Sequence, residues 1–268
     1  MACSSGAPRD VTVGTVVRLQ SILASLLALC FLICSKVSAQ PGPPANQAGV
    51  MLTTAAGCNA WLFTAGETPV TATSAKWDGA CPNGNANGEG TMLVELSDGR
   101  TMRFDGMMVN GLASGNGKLM LPDRKFYDGG FFGGLFEGRG VLHTETGGTV
   151  ASTFSGGSVA GRVTMTVPGV GTIEGDLSND LASGHVLITF LNGNVFNGYM
   201  KSYKLDGRGI VDFPNGSRYV GDWRNGLPEG TGTLTTAAGR VISGPWQRGC
   251  HRGDTSMIAL MVPLSTCR

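Results

Sequence analysis

Three histidines, four recurring carboxylates and four of the seven cysteines are the side chains from which this chain would build any chemistry. His143 falls on the odd face of an expected strand, His185 between two glycine positions, and His251 directly after Cys250. Acid–base or nucleophilic catalysis needs a base beside an orienting partner in a site that limits water. The three histidines are scattered and none has such a partner in its motif context. No Gly-x-Ser-x-Gly elbow, P-loop or Gly-x-Gly-x-x-Gly fingerprint occurs. Asp78, Asp105, Asp128 and Glu174 recur at one position of a repeating phrase. They read as a solvated polar face that protects sheet edges rather than as a metal or substrate site. The expectation is no catalytic residue, no cofactor and no metal.

Of seven cysteines, Cys58, Cys81, Cys250 and Cys267 are the four left once an expected leader over 1–39 is cleaved, and they fall as two local pairs. In an exported chain an even count implies disulfides, and the pairing Cys58–Cys81 with Cys250–Cys267 is favoured. Two other connectivities, or buried free thiols, remain open. No Cys-x-x-Cys or paired His suggests zinc.

Export is read from the N-terminal segment. Residues 22–34 form an apolar run preceded by Arg9 and Arg18 and followed by Val37-Ser38-Ala39. That is the layout of a signal peptide, residues 1–39, cleaved before Gln40. An uncleaved anchor is the alternative. Taking Arg9, Arg18, Lys36 and Asp10 from the 20 basic and 19 acidic side chains leaves a formal charge of −1. No basic surplus remains for nucleic acid or anionic lipid. Residues 40–56 read as a flexible linker and 57–76 as an N-terminal cap.

The elements that must position these groups come from a repeat. Between residues 77 and 246 an apolar residue, any residue and a glycine recur eight times. The pairs are Trp77/Gly79, Phe104/Gly106, Tyr127/Gly129, Phe154/Gly156, Ile173/Gly175, Phe196/Gly198, Tyr219/Gly221 and Ile242/Gly244. The period is 23 residues with slips of four, the mark of one stacked supersecondary unit. Counting the first apolar residue as zero, position four is mostly large and apolar. Positions zero, two and four share one strand face. Asn-Gly at positions six and seven signals a hairpin. Glycines follow at eleven and thirteen, and an apolar residue at fifteen. The copy taken to start at Phe154 is degenerate, with Val163 in place of its second glycine. The fold expected is all-β: an elongated, single-layer, twisted antiparallel sheet of about eight stacked hairpins over 77–249, with 250–268 as a C-terminal cap.

The stretch Tyr219-Val-Gly-Asp-Trp-Arg-Asn-Gly-Leu-Pro-Glu-Gly-Thr-Gly232 resembles the MORN (membrane occupation and recognition nexus) repeat. Tyr127 to Gly140 resembles it too, with Phe131 in place of Trp. The resemblance, taken with the leader as an exported bacterial type, implies a scaffold or binding module without catalytic residues. A periplasmic or extracellular place follows from the leader. The partner expected is an unidentified protein or envelope polymer. A lipid-surface binder is the runner-up, and a hydrolase with a carboxylate site on the sheet face comes third. Tyr127, Phe131, Tyr219, Trp223 and Trp246 are the candidate binding face. Two arrangements fit them: an exposed stripe that takes a partner, or the packed interior of a curved sheet.

Overall fold

The computed structural model describes residues 49–63, 71–178, 181–253 and 257–267. The expected signal peptide lies outside the described residues. The chain divides into two compact units at Ala182/Ser183.

In the first unit β1 (Gly49–Thr53) and β2 (Asn59–Phe63) form a hairpin. The linker expected over 40–56 therefore contains a strand. Ten strands follow: β3 (Ala72–Trp77), β4 (Gly88–Leu96), β5 (Thr101–Val109), β6 (Leu112–Met120), β7 (Phe126–Phe132), β8 (Leu135–His143), β9 (Thr149–Ser155), β10 (Ser158–Val159), β11 (Val163–Val167) and β12 (Gly171–Leu177). The second unit holds β13 (Gly184–Phe190), β14 (Val195–Lys201), β15 (Lys204–Asp212), β16 (Arg218–Arg224), β17 (Leu227–Thr235), β18 (Val241–Trp246), β19 (Cys250–Arg252) and β20 (Met257–Ala259). Within the first unit β3–β12 pair antiparallel in chain order, with β10 alone off the path, and within the second unit β13–β18 do the same.

Register corrects the repeat frame. Tyr127 faces the position-fifteen residues Leu119 and Leu142. Val150 likewise faces Leu142 and Met165. Phe154 faces Gly138, just as Phe131 faces Gly115. The degenerate copy thus starts at Val150, and Phe154 is its position four. The expected start at Phe154 was four residues late, because Val150-x-Ser152 stands where other copies write apolar-x-Gly. From Phe104 to Ile242 the period is then 23 residues without a slip. The four extra residues after Trp77 remain, and they lengthen the far end of the β4–β5 hairpin.

A second row of backbone bonds staples neighbouring copies. The position-seven N–H of one copy donates to the position-nine carbonyl of the copy before it. Gly111 donates to Ala86, Gly134 to Ala113, Gly157 to Phe136, Gly226 to Leu205 and Gly249 to Pro228, at 2.8–3.0 Å. These groups would otherwise be unpaired at a hairpin end.

Glycine occupies positions two and thirteen because rings lie across the backbone there. Gly90, Gly106, Gly117, Gly129 and Gly140 are successive cross-strand partners in the first unit. Gly198, Gly209, Gly221, Gly232 and Gly244 are so in the second. A Cβ on Gly117 would lie 2.8 Å from Phe104, and one on Gly209 would lie 2.6 Å from Phe196. Where the zero residue is smaller, the glycine is unnecessary: the copies beginning Val150 and Ile173 carry Val163 and Val186 at position thirteen. Volume removed at one position is restored at the other, as close packing demands.

Candidate functional site

The ring row is interior. Tyr127 and Tyr219 are 0% exposed, Trp223 and Trp246 2%, and Phe131 5%. The exposed-stripe arrangement is thus set aside for the packed one. Four of the rings at position zero meet edge-on the position-four ring of the next copy, 27 residues on. The pairs are Phe104–Phe131 (5.2 Å), Tyr127–Phe154 (5.3 Å), Phe196–Trp223 (5.1 Å) and Tyr219–Trp246 (5.1 Å). Such contacts satisfy the ring quadrupoles while burying large apolar area. The tyrosine hydroxyls donate to Gly130 O (3.1 Å) and Asp222 O (3.4 Å). Burial first, then nearby carboxylates, pushes both tyrosines well above their ordinary pKa.

Position nine completes this interior, and the sequence reading did not single it out. Ala86, Ala113, Val159, Ala182, Leu205, Pro228 and His251 are buried there. Half-buried Phe136 stacks on Tyr127 at 3.8 Å. Counting every column at the 23-residue period would have found it. His251 belongs to this column: it continues the copy begun at Ile242 rather than opening a separate cap. Its ring lies 5.1 Å from Trp246, its Nδ1 is 2.8 Å from Pro245 O, and a Cβ on Gly244 would meet it at 2.8 Å. His251 is thus a packing residue at the end of the row.

The opposite sheet face carries the expected carboxylates. Thr91, Asp105, Lys118 and Asp128 form one cross-strand row. Asp105 accepts from Arg103 Nε at 2.8 Å and from Thr91 Oγ1 at 2.8 Å. The Arg103 bond, opposed by partial burial, holds its carboxyl below the usual range. Asp78 accepts from the Thr91 N–H, and Glu174 lies 3.9 Å from Arg162. The carboxylates are spread along the sheet among hydroxyls and cations. Among the described residues no three His, Cys, Asp or Glu side chains cluster as metal ligands. His143 stacks on Phe126 at 4.0 Å, with Lys118 Nζ 4.2 Å from the Phe126 ring centre.

The second unit's outer face is more apolar. Leu187, Asn197, Ile210, Val220 and Thr233 are successive cross-strand partners. Tyr199 shares the face, 57% exposed, with its ring 5.2 Å from His185. Val220 is 37% exposed. This partly exposed sheet face presents aromatic, aliphatic and hydroxyl side chains as contact area.

The expected cysteine pairs lie at disulfide distance. Cys58 and Cys81 have Cα atoms 5.8 Å apart, and Cys250 and Cys267 5.6 Å. A bond in the first pair would join the β1–β2 hairpin to the start of the repeats, and one in the second would tie the C-terminal segment to β19.

Among solved structures, the chain is similar to the SAS-4 TCP domain of Drosophila melanogaster in complex with a proline-rich motif of Ana2. That match has 15% identity and covers 80% of this chain and 99% of that one. Its TM-score is 0.34, too low to carry an argument. None of the curated proteins matches. The family model of the MORN repeat matches residues 104–125, 127–149, 196–218 and 219–239. All four stretches start on the first residue of a copy that the strand register defines, and they support the MORN repeat family for this chain.

Proposed function

We propose that the chain is an exported, non-catalytic scaffold whose outer sheet face docks a protein or envelope polymer. The observation that carries this reading is the division of labour between the two faces. The ring row is spent on internal packing, while the opposite face leaves Tyr199 and Val220 exposed beside Ile210 and Leu187. MORN repeats are consistent with a binding or scaffold module. Export is supported by the apolar leader and the two cysteine pairs at disulfide distance. No helix among the described residues is long and apolar enough to cross a membrane.

The test is capture from cell-envelope extract on the immobilised protein and on a Tyr199→Ala/Val220→Asp variant. A partner retained by the first and lost by the second, with melting temperatures alike, supports the reading. A purified protein that hydrolyses a glycan, ester or peptide, losing activity when one His or Asp is changed, overturns it.

A further inference from the structure

A cavity of about 540 Å³ opens at the C-terminal end of the second unit, lined by Trp246, Gln247, Arg248, Arg252, Met257 and Thr266 among others. It is of the size that takes a small ligand. The residues that line it include two arginines, a glutamine, a threonine and the apolar Trp246 and Met257. Trp246 forms a rigid wall, since its Nε1 already donates to Gly232 O at 3.2 Å. Thr266 Oγ1 donates to Pro263 O at 2.6 Å, and Cys250, on the lining, lies at disulfide distance from Cys267.

Arg248 is the informative residue. It sits at position six, where three other copies carry Asn83, Asn110 and Asn225 and three more carry Gly133, Gly156 and Ser202. Arg248 and the three Asn all adopt left-handed backbone, with Arg248 at φ 48°. Asn tolerates that conformation readily, whereas a long side chain is disfavoured there. The turn itself is satisfied without the guanidinium. The Arg248 N–H donates to the Glu229 carboxylate at 2.8 Å, and the Gly249 N–H to Pro228 O. Among the described residues neither Arg248 nor Arg252 makes an ion pair. Two arginines without an ion pair beside one cavity match an anion, and the planar fork of a guanidinium matches a carboxylate in particular. The amide, hydroxyl and apolar walls suit a compact body carrying that carboxylate.

We propose that this cavity binds a carboxylate on a ring or short chain of about monosaccharide size, held by Arg248 and Arg252. Titration calorimetry of the full-length, disulfide-intact protein tests it, with D-glucuronate as probe, D-glucose as the neutral control and inorganic phosphate as the competing anion. Arg248→Asn keeps the turn chemistry of the three Asn copies, and Arg252→Gln keeps much of the side chain's bulk. Glucuronate should bind one to one while glucose does not. Each substitution should weaken binding by about tenfold or more, the loss expected for one charge-assisted bond, at unchanged melting temperature. Absence of glucuronate binding at millimolar concentration overturns the proposal. So does binding that survives both substitutions, or phosphate binding as tight as glucuronate.

Discussion

The ring of Tyr219 fills the space that a side chain on Gly232 would need: a Cβ there would lie 2.6 Å from its Cε2 atom. The same two positions hold Val150 with Val163 and Ile173 with Val186 in other copies. Gly232→Val should therefore cost about 1–3 kcal/mol through overpacking. Combined with Tyr219→Ile, the pair should be less damaging than the sum of the singles, with a coupling on the order of 1 kcal/mol. Val220→Thr, on the outer face, should stay within about 0.5 kcal/mol. Urea midpoints of the four variants decide it, and strict additivity would contradict the packing scheme.

The glycines at positions eleven and thirteen are kept for different reasons. Gly138 has φ 71° with nothing within 4 Å of a Cβ, whereas a Cβ on Gly140 would collide with the Tyr127 ring. Gly138→Asn should be mild, under about 1 kcal/mol, because Asn tolerates left-handed backbone. Gly140→Asn should cost about 1–3 kcal/mol or more. Equal melting temperatures would show that ring crowding is not what selects glycine.

Alkaline pH should unfold the array. Tyr127 and Tyr219 have pKa values raised by burial. Above the ordinary tyrosine pKa of about 10 the unfolded chain releases protons that the folded chain keeps. Stability is therefore full below that pH and falls as pH rises toward the folded values. Tyrosinate absorbance from these two rings should appear together with loss of β-sheet circular dichroism. Ionisation that precedes unfolding would mean the rings are open to water.

The end pairs are tested by peptide mapping without reductant, which should recover Cys58 with Cys81 and Cys250 with Cys267. Closing loops of 23 and 17 residues stabilises by about 3 kcal/mol each in the chain-entropy picture. Cys267→Ser should lower the melting temperature accordingly. Cys58 joined to Cys267, or four alkylatable thiols, would contradict the pairing.

The hairpin architecture was legible because its signals are local. Asn110-Gly111 and Asn225-Gly226 do take the left-handed pair of a two-residue turn. Asn192-Gly193 and Asn215-Gly216 do not, since only their glycines have positive φ, and they close longer turns between copies. The frame of the degenerate copy was not legible from its text. Phe154-Ser155-Gly156 imitates the apolar-x-Gly phrase, and only the pairing of Val150 with Leu142 and Met165 reveals the start. Ring burial was undecidable from alternation, which separates two faces without saying which is covered. Arg248 carried a signal in its place at an Asn position, but the cavity beside it is assembled by Met257 and Thr266 from later in the chain.

Limited tyrosine nitration with and without captured partner tests the central claim most directly, because one reagent reads both faces. The two-face account predicts that Tyr199 is modified in the free protein and shielded by partner, while Tyr127 and Tyr219 resist in both states. Ready nitration of Tyr219 in the folded, free protein, or a partner that shields it and leaves Tyr199 open, would contradict the account.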